Sequence, residues 1–217
     1  MKMGTKNTMC EAALAGVGMW AWLLIAAVPL AHAAATPSPQ AQTTALVEGF
    51  KKIRVPADNE KLSDADRRAN QAAFAGLDAF FAYDTLCRNA IAPHRAALSK
   101  AQLERYSRTF RELLRLVSYR RSGQFVQQAQ VRLDEPKVRD GLARVDMHAS
   151  LGDDDTQTDV TFVWQQTAGG WRIVDVSFDG VSFVKDYQNQ FGKMLKKYGA
   201  EGFLQKLSDR LAQEQNE

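Results

Sequence analysis

The change of hydrophobic period at Asp179-Gly180 constrains this chain more than any other feature. Before it, Val174, Val176 and Phe178 alternate with Asp175 and Ser177, the period of two of a strand with one apolar face. After it, Val184, Tyr187, Phe191, Met194, Leu195 and Tyr198 recur at helical spacing. A strand that turns through two residues into an amphipathic helix directs the apolar side of the helix back onto the sheet. The segment from Trp171 to Phe191 therefore predicts one wall and the lid of a shared interior. Trp171 and Asp175 fall on the strand face opposite Val174 and Val176, where Asp175 is expected to satisfy backbone amides at the corner.

Helices are expected ahead of the sheet. Residues 46–53 read as a short amphipathic piece ended by Pro56, and Ser63 caps a run whose apolar side is Phe74, Leu77, Phe80 and Phe81. Leu86, Ala90, Ile91 and Leu98 mark a further helix that Pro93 ends or kinks. Ser99 and Gln102 then form a capping box. Beyond it Leu103, Tyr106, Phe110, Leu113, Leu114 and Val117 share one face, and Gly123 is expected to close the helix.

Strand periodicity follows, near 124–134, 138–151, 156–166 and 170–178. The turn signals between these segments are Glu135-Pro136, Gly152 with Asp153-Asp154-Asp155, and Gly169-Gly170. Val131, Leu133, Val145, Met147, Ala149, Phe162 and Trp164 make the inner face. Gln128, Gln130, Arg132, Arg144, Asp146 and His148 belong in water. Gly199 stops the next helix, and Phe203, Leu204, Leu207 and Leu211 line a last one. The expected class is α+β: N-terminal helices, a four-stranded curved antiparallel sheet, and C-terminal helices packed on one sheet face.

The N-terminus reads differently. Lys2 and Lys6 precede an apolar run from Ala12 to Leu30, and Ala31-His32-Ala33 supplies small residues for cleavage, so residues 1–33 read as a secretory signal peptide. A retained membrane anchor is the alternative; Pro29 and the shortness of the run weigh against it. Residues 34–43 read as a flexible linker, 44–213 as a single domain and 214–217 as a tail. Cleavage leaves 26 of the 28 basic and 24 of the 25 acidic side chains, a net charge of +2. No stripe of lysines and arginines remains to track phosphates, so nucleic acid is not an expected partner. Cys87 is the sole cysteine after residue 33, which rules out an internal disulfide and leaves apolar burial to hold the fold.

Four pieces in order resemble a known family. They are Trp171-x-x-x-Asp175-Val176, then Asp179-Gly180-Val181-Ser182, then Tyr187-x-x-x-Phe191, and finally Gly199-x-x-Gly202-Phe203-Leu204-x-x-Leu207. With the Ser99 to Leu114 helix and Tyr119 region ahead of them, they resemble the MlaC phospholipid-binding family, also called the toluene-tolerance family, over about residues 63–211. The chain departs from the pattern at Ala90 to Arg95, where relatives often carry a Gly and a Trp. The resemblance implies an exported, periplasmic, monomeric carrier without cofactor. It would hold a phospholipid by its acyl chains in an apolar cavity and shuttle it between an outer-membrane lipoprotein complex and an inner-membrane ABC-type complex. Two acyl chains hold about 30 methylenes, and at ~0.8 kcal/mol each their exposure to water costs on the order of 20 kcal/mol, so transfer across an aqueous gap needs a carrier.

The expected cavity residues are Phe80, Phe81, Leu86, Phe110, Leu113, Leu114, Val117, Val145, Met147, Phe162, Trp164, Val176, Val181, Val184 and Phe191. Taken singly, each also reads as ordinary core. Arg144, Arg172 or Lys185 could meet a lipid phosphate, and each also reads as a solvated surface charge. Enzyme readings find little support, because His94 and His148 have no Ser or Cys partner in a motif and no HExxH, GxSxG or phosphate-cradling loop occurs. Cys87 reads as a packed thiol, and Asp153-Asp154-Asp155 with Asp159 as a solvated turn that lacks the glycine and glutamate of a calcium loop. An alternative with catalysis, or simple small-ligand binding, would need a cone-shaped α+β fold with an enclosed apolar pocket, and for an enzyme Asp175 or a Tyr inside it as acid or base. A structural adaptor would have a filled core.

Overall fold

Serines start three of the helices. In this computed structural model, which describes residues 36–56, 61–152 and 157–216, Ser38, Ser63 and Ser99 cap α1 (Pro39–Lys51), α2 (Asp64–Asp78) and α4 (Lys100–Gln128). Each side chain accepts from the amide three residues on, and Ser99 and Gln102 form the full reciprocal box. Between α2 and α4 lie α3 (Tyr83–Ile91) and a 3-10 turn, Ala92–Ala97, in which Pro93 ends the α-helical ladder. The predicted signal peptide and the Asp153-Asp154-Asp155 turn lie outside the described residues. No helix among the described residues is long and apolar enough to cross a membrane.

Two helix bounds differ from expectation. The flexible linker expected over 34–43 gives way at Pro39 to α1, because Ser38 and Pro39 form an N-terminal cap and Thr43, Leu46, Val47 and Phe50 are buried. Gly123 does not close α4; the helix runs through it to Gln128. A Cβ at Gly123 would stand 2.8 Å from Ile53 Cβ, so the glycine marks a close crossing with the end of α1 rather than a helix stop.

The sheet comprises β1 (Ala129–Leu133), β2 (Lys137–Arg139), β3 (Leu142–Leu151), β4 (Gln157–Thr167), β5 (Gly170–Phe178) and β6 (Val181–Ser182), all antiparallel, in the order β1-β3-β4-β5-β6 with β2 also on β3. The four expected strands thus become six. The tight turn at Asp140-Gly141, both at positive φ, splits the second, and the Asp179-Gly180 corner adds β6. α5 (Phe183–Asn216) follows, broken at Gly199, whose φ of 68° sits where the sequence predicts a stop.

Strict alternation fails on β5. Phe162 faces Val176 and Val163 faces Asp175, but Trp164 faces Ile173, so Val174 is an extra residue in a β-bulge. The bulge resets the phase: Trp171 and Ile173 below it share the inner face with Val176 and Phe178 above it. Trp171, expected opposite Val176, is buried instead on the same side.

One side of the sheet packs on the helices. α4 is the central helix, touching α1, α2, α3 and α5. Along its α5 side, Tyr106, Phe110, Tyr187, Phe191 and Phe203 form a continuous aromatic stack with ring centroids 4.8–5.9 Å apart. His94 and Gln188 fasten the 3-10 turn and α3 to α5. His94 Nε2 lies 2.9 Å from Gln188 O, and Gln188 Nε2 donates to Asn89 O at 2.9 Å.

Candidate functional site

An apolar slot remains between α4 and the inner sheet face. Its sheet wall is Met147, Val160, Phe162, Val176 and Phe178; its helical wall runs over three turns of α4 from Leu114 through Ser118 and Ser122 to Val126. Val47 and Phe50 of α1, with Phe81, Tyr83 and Leu86, close one side, and Phe183 at the start of α5 flanks the other. The cavity volume is about 90 Å³, or about 780 Å³ when atom-free space out to the open mouth is counted. The mouth is marked by Phe178, which lines the slot yet is 45% exposed, and by its cross-strand partner Val181, 62% exposed.

A polar latch backs the closed side. Arg115 Nε donates to both oxygens of Asp78 at 3.0 Å, and the Tyr119 hydroxyl donates to Asp78 Oδ1 at 2.9 Å. The Tyr83 hydroxyl bonds to that of Tyr119 and lies 3.3 Å from Asp78 Oδ1. Burial pushes both phenols well above their ordinary range, so they are neutral donors and acceptors. The latch ties the end of α2 and the start of α3 to mid-α4. Every hydroxyl in it is already paired, so it offers no free acid or base.

Asp175 stands outside the slot. Its Oδ1 accepts from Val176 N at 2.9 Å and Val184 N at 3.1 Å, and its Oδ2 accepts from the Ser182 hydroxyl at 2.6 Å. Ser182 in turn accepts from Lys185 N at 3.2 Å. The carboxylate therefore sits at the N-terminus of α5, where the helix dipole favours negative charge, and fixes the strand-to-helix corner. Cys87 is buried with its thiol pushed up to about 12 by desolvation, as an inert packed thiol requires.

The expected cavity residues separate into three groups. Phe81, Leu86, Leu114, Met147, Phe162 and Val176 line the slot together. Phe110 and Phe191 belong to the aromatic stack, while Leu113, Val145 and Trp164 are buried and Phe80 and Val117 pack at the border of the core, all away from the slot. Val184 is buried beside Asp175, and Val181 lies on the outer lip. Of the expected head-group cations, Arg144 is on the outer sheet face, and Arg172 turns back to Trp171 O at the far end of β5. Lys185 is exposed on the first turn of α5, two residues from Phe183. Slot residues outside the expected set include Val47 and Phe50, on the short amphipathic piece ahead of the sheet, and Phe183, which directly precedes the helical periodicity.

The sequence matches the family described as "MlaC protein" over residues 40–209. The chain belongs to the MlaC family. Among solved structures, this MlaC chain is similar to the phospholipid-binding protein from Ralstonia solanacearum, solved in complex with a phospholipid. The identity is 18%, the TM-score 0.62, and the match covers 82% of this chain and 99% of that one. At that identity the likeness shows a shared fold. The MlaC chain finds no match among curated proteins.

Proposed function

We propose that this MlaC family protein is a periplasmic phospholipid carrier that takes acyl chains into the slot beneath α4 and leaves the head group at the mouth beside Phe178. The observation that carries the reading is the slot itself: apolar on both walls, open at one end, its two tyrosine hydroxyls already paired. Export, passage between an outer-membrane lipoprotein complex and an inner-membrane ABC-type complex, and a monomeric state follow from family membership and belong to the same proposal. The similar Ralstonia protein was solved holding a phospholipid, which supports the ligand class. An enzyme reading needs an acid or base inside the pocket. Asp175 is committed to a helix cap and the tyrosines to a latch, so the carrier reading is preferred.

The test is purification without detergent, organic extraction and mass spectrometry. One phospholipid per chain is expected; absence of stoichiometric lipid, with none taken up from vesicles, sinks the reading. Leu114→Glu places a charge on the slot wall and should remove retention, whereas Arg144→Ala on the outer face should not; equal losses would refute binding dominated by the tails.

A further inference from the structure

Two hydroxyls in the slot are unused. Ser118 and Ser122 lie one turn apart on α4, half-buried in an otherwise apolar lining, and neither hydroxyl has a hydrogen-bond partner among the described residues. This contrasts with Thr43, Thr44 and Ser208, which turn their hydroxyls back onto the carbonyl four residues earlier, the usual resting place for such a group inside a helix. Dry apolar surroundings penalise an unpaired hydroxyl once the slot fills and water leaves. The spacing is also suited to a ligand with two acceptors, because residues four apart on a helix hold their Cβ atoms about 5–6 Å from each other.

A cation stands in the same turn. Arg121 is exposed and forms no ion pair among the described residues, whereas the guanidinium of its neighbour Arg120 is tied to the backbone carbonyl of Glu214 at 2.5 Å. On the helix Arg121 stands three residues from Ser118 and four from Phe125, both of which line the slot, so the three share one side of α4. Exposed itself, Arg121 borders the slot from its rim.

We propose that Ser118, Ser122 and Arg121 form a polar collar at the mouth that holds the linkage region of a diacyl phospholipid. The two hydroxyls donate to ester carbonyl oxygens, and the guanidinium donates to the phosphate. The collar rests on the carrier reading and adds to it a selection for ester-linked, phosphate-bearing lipid. Guanidinium is suited to the phosphate because its fork of donors matches adjacent oxygens. The hydroxyls set the depth at which hydrocarbon ends and polar ligand begins.

The test loads full-length processed protein from vesicles of diester phosphatidylglycerol, its dialkyl ether analogue, or diacylglycerol, and counts lipid per chain by mass spectrometry. Wild-type protein should prefer ester over ether lipid by about fivefold or more, the equivalent of one neutral hydrogen bond or better. Ser118→Ala with Ser122→Ala should erase that preference with the folded state intact by circular dichroism, since alanine suits a helix. Arg121→Gln should erase the preference for phosphatidylglycerol over diacylglycerol, and Lys185→Gln should not. An ester preference that is missing in wild type, or that survives the double variant, overturns the hydroxyl roles. Lys185→Gln reproducing the loss, or Arg121→Gln leaving it absent, overturns the role of Arg121. Wild type that takes up none of the three lipids overturns the carrier reading and the collar with it, an outcome distinct from equal uptake of all three.

Discussion

Asp175 satisfies two backbone amides and a hydroxyl with one carboxylate, so its replacement leaves several groups unpaired at once. Asp175→Ala should cost about 2–3 kcal/mol in chemical denaturation, the range of a lost cap with charge-assisted bonds. Asp175→Asn retains an acceptor oxygen and should lose less. His148 offers a second residue-scale test. Both ring nitrogens face carboxylates, Nε2 to Asp134 at 3.0 Å and Nδ1 to Asp159 at 2.7 Å, and the bond to Asp134, then that to Asp159, raises its pKa. Arg132 and Lys137 on the adjoining strands pair with Asp134 and Asp146 and share the same face. Because the folded pKa lies above the ordinary 6.5, the stabilisation is complete below 6.5 and is lost as pH rises through the folded value. NMR titration of the imidazole should give a midpoint above 6.5. In the His148→Gln variant, the part of the stability that falls with rising pH in that window should disappear; an unchanged pH profile would refute the pairing.

At the scale of elements, α4 and α5 show two uses of glycine. Gly123 admits the close passage of Ile53, while Gly199 adopts a positive φ that breaks α5. Gly199→Ala should destabilise by about 1–3 kcal/mol through backbone conformation alone, since φ 68° with ψ 179° suits essentially only glycine and no atom lies within 4 Å of a Cβ there. Gly123→Ala should do so through collision, and Ile53→Ala should relieve part of that loss; a double-mutant cycle showing strict additivity would contradict it. The helix starts were legible in the sequence because a cap is a local pattern: Ser63 and Ser99 with Gln102 act within one turn. Gly123 was misleading because its partner lies 70 residues earlier, and glycine at a crossing looks the same as glycine at a stop. The bulge at Val174 has no sequence signature at all, being defined only by its pairing with β4.

For the molecule as a whole, the slot is narrow. A cavity of about 90 Å³ falls below the ~300 Å³ low end of small-ligand pockets, so the proposed uptake of acyl chains requires α4 and the corner around Phe178 and Phe183 to part. Lipid-loaded protein should therefore show altered hydrogen exchange at residues 118–126 and 176–184 relative to delipidated protein, with β3 and β4 unchanged. Uniform protection across the chain would contradict local widening. The family signature made the container legible, and six of the expected apolar residues do meet in one slot. Which apolar residues fill the core and which leave space was not legible, because Phe110 and Leu114 share a helix face and differ only in what α5 places against them.

The bulge at Val174 also bears on how this chain tolerates changes of length. Val174 is the spare residue of the bulge: removing it would leave Ile173 on Trp164, Asp175 on Val163 and Val176 on Phe162, so β5 would straighten with both faces kept. Removing Ser177, beyond the bulge, would instead bring Phe178 opposite Thr161 and turn it away from the interior. A one-residue loss is thus absorbed at the bulge, whereas the same loss above it reverses the end of the wall. Length variation among relatives should therefore fall at the bulge or in the turn at 167–170 and avoid residues 176–178, where one residue more or less decides which side is dry.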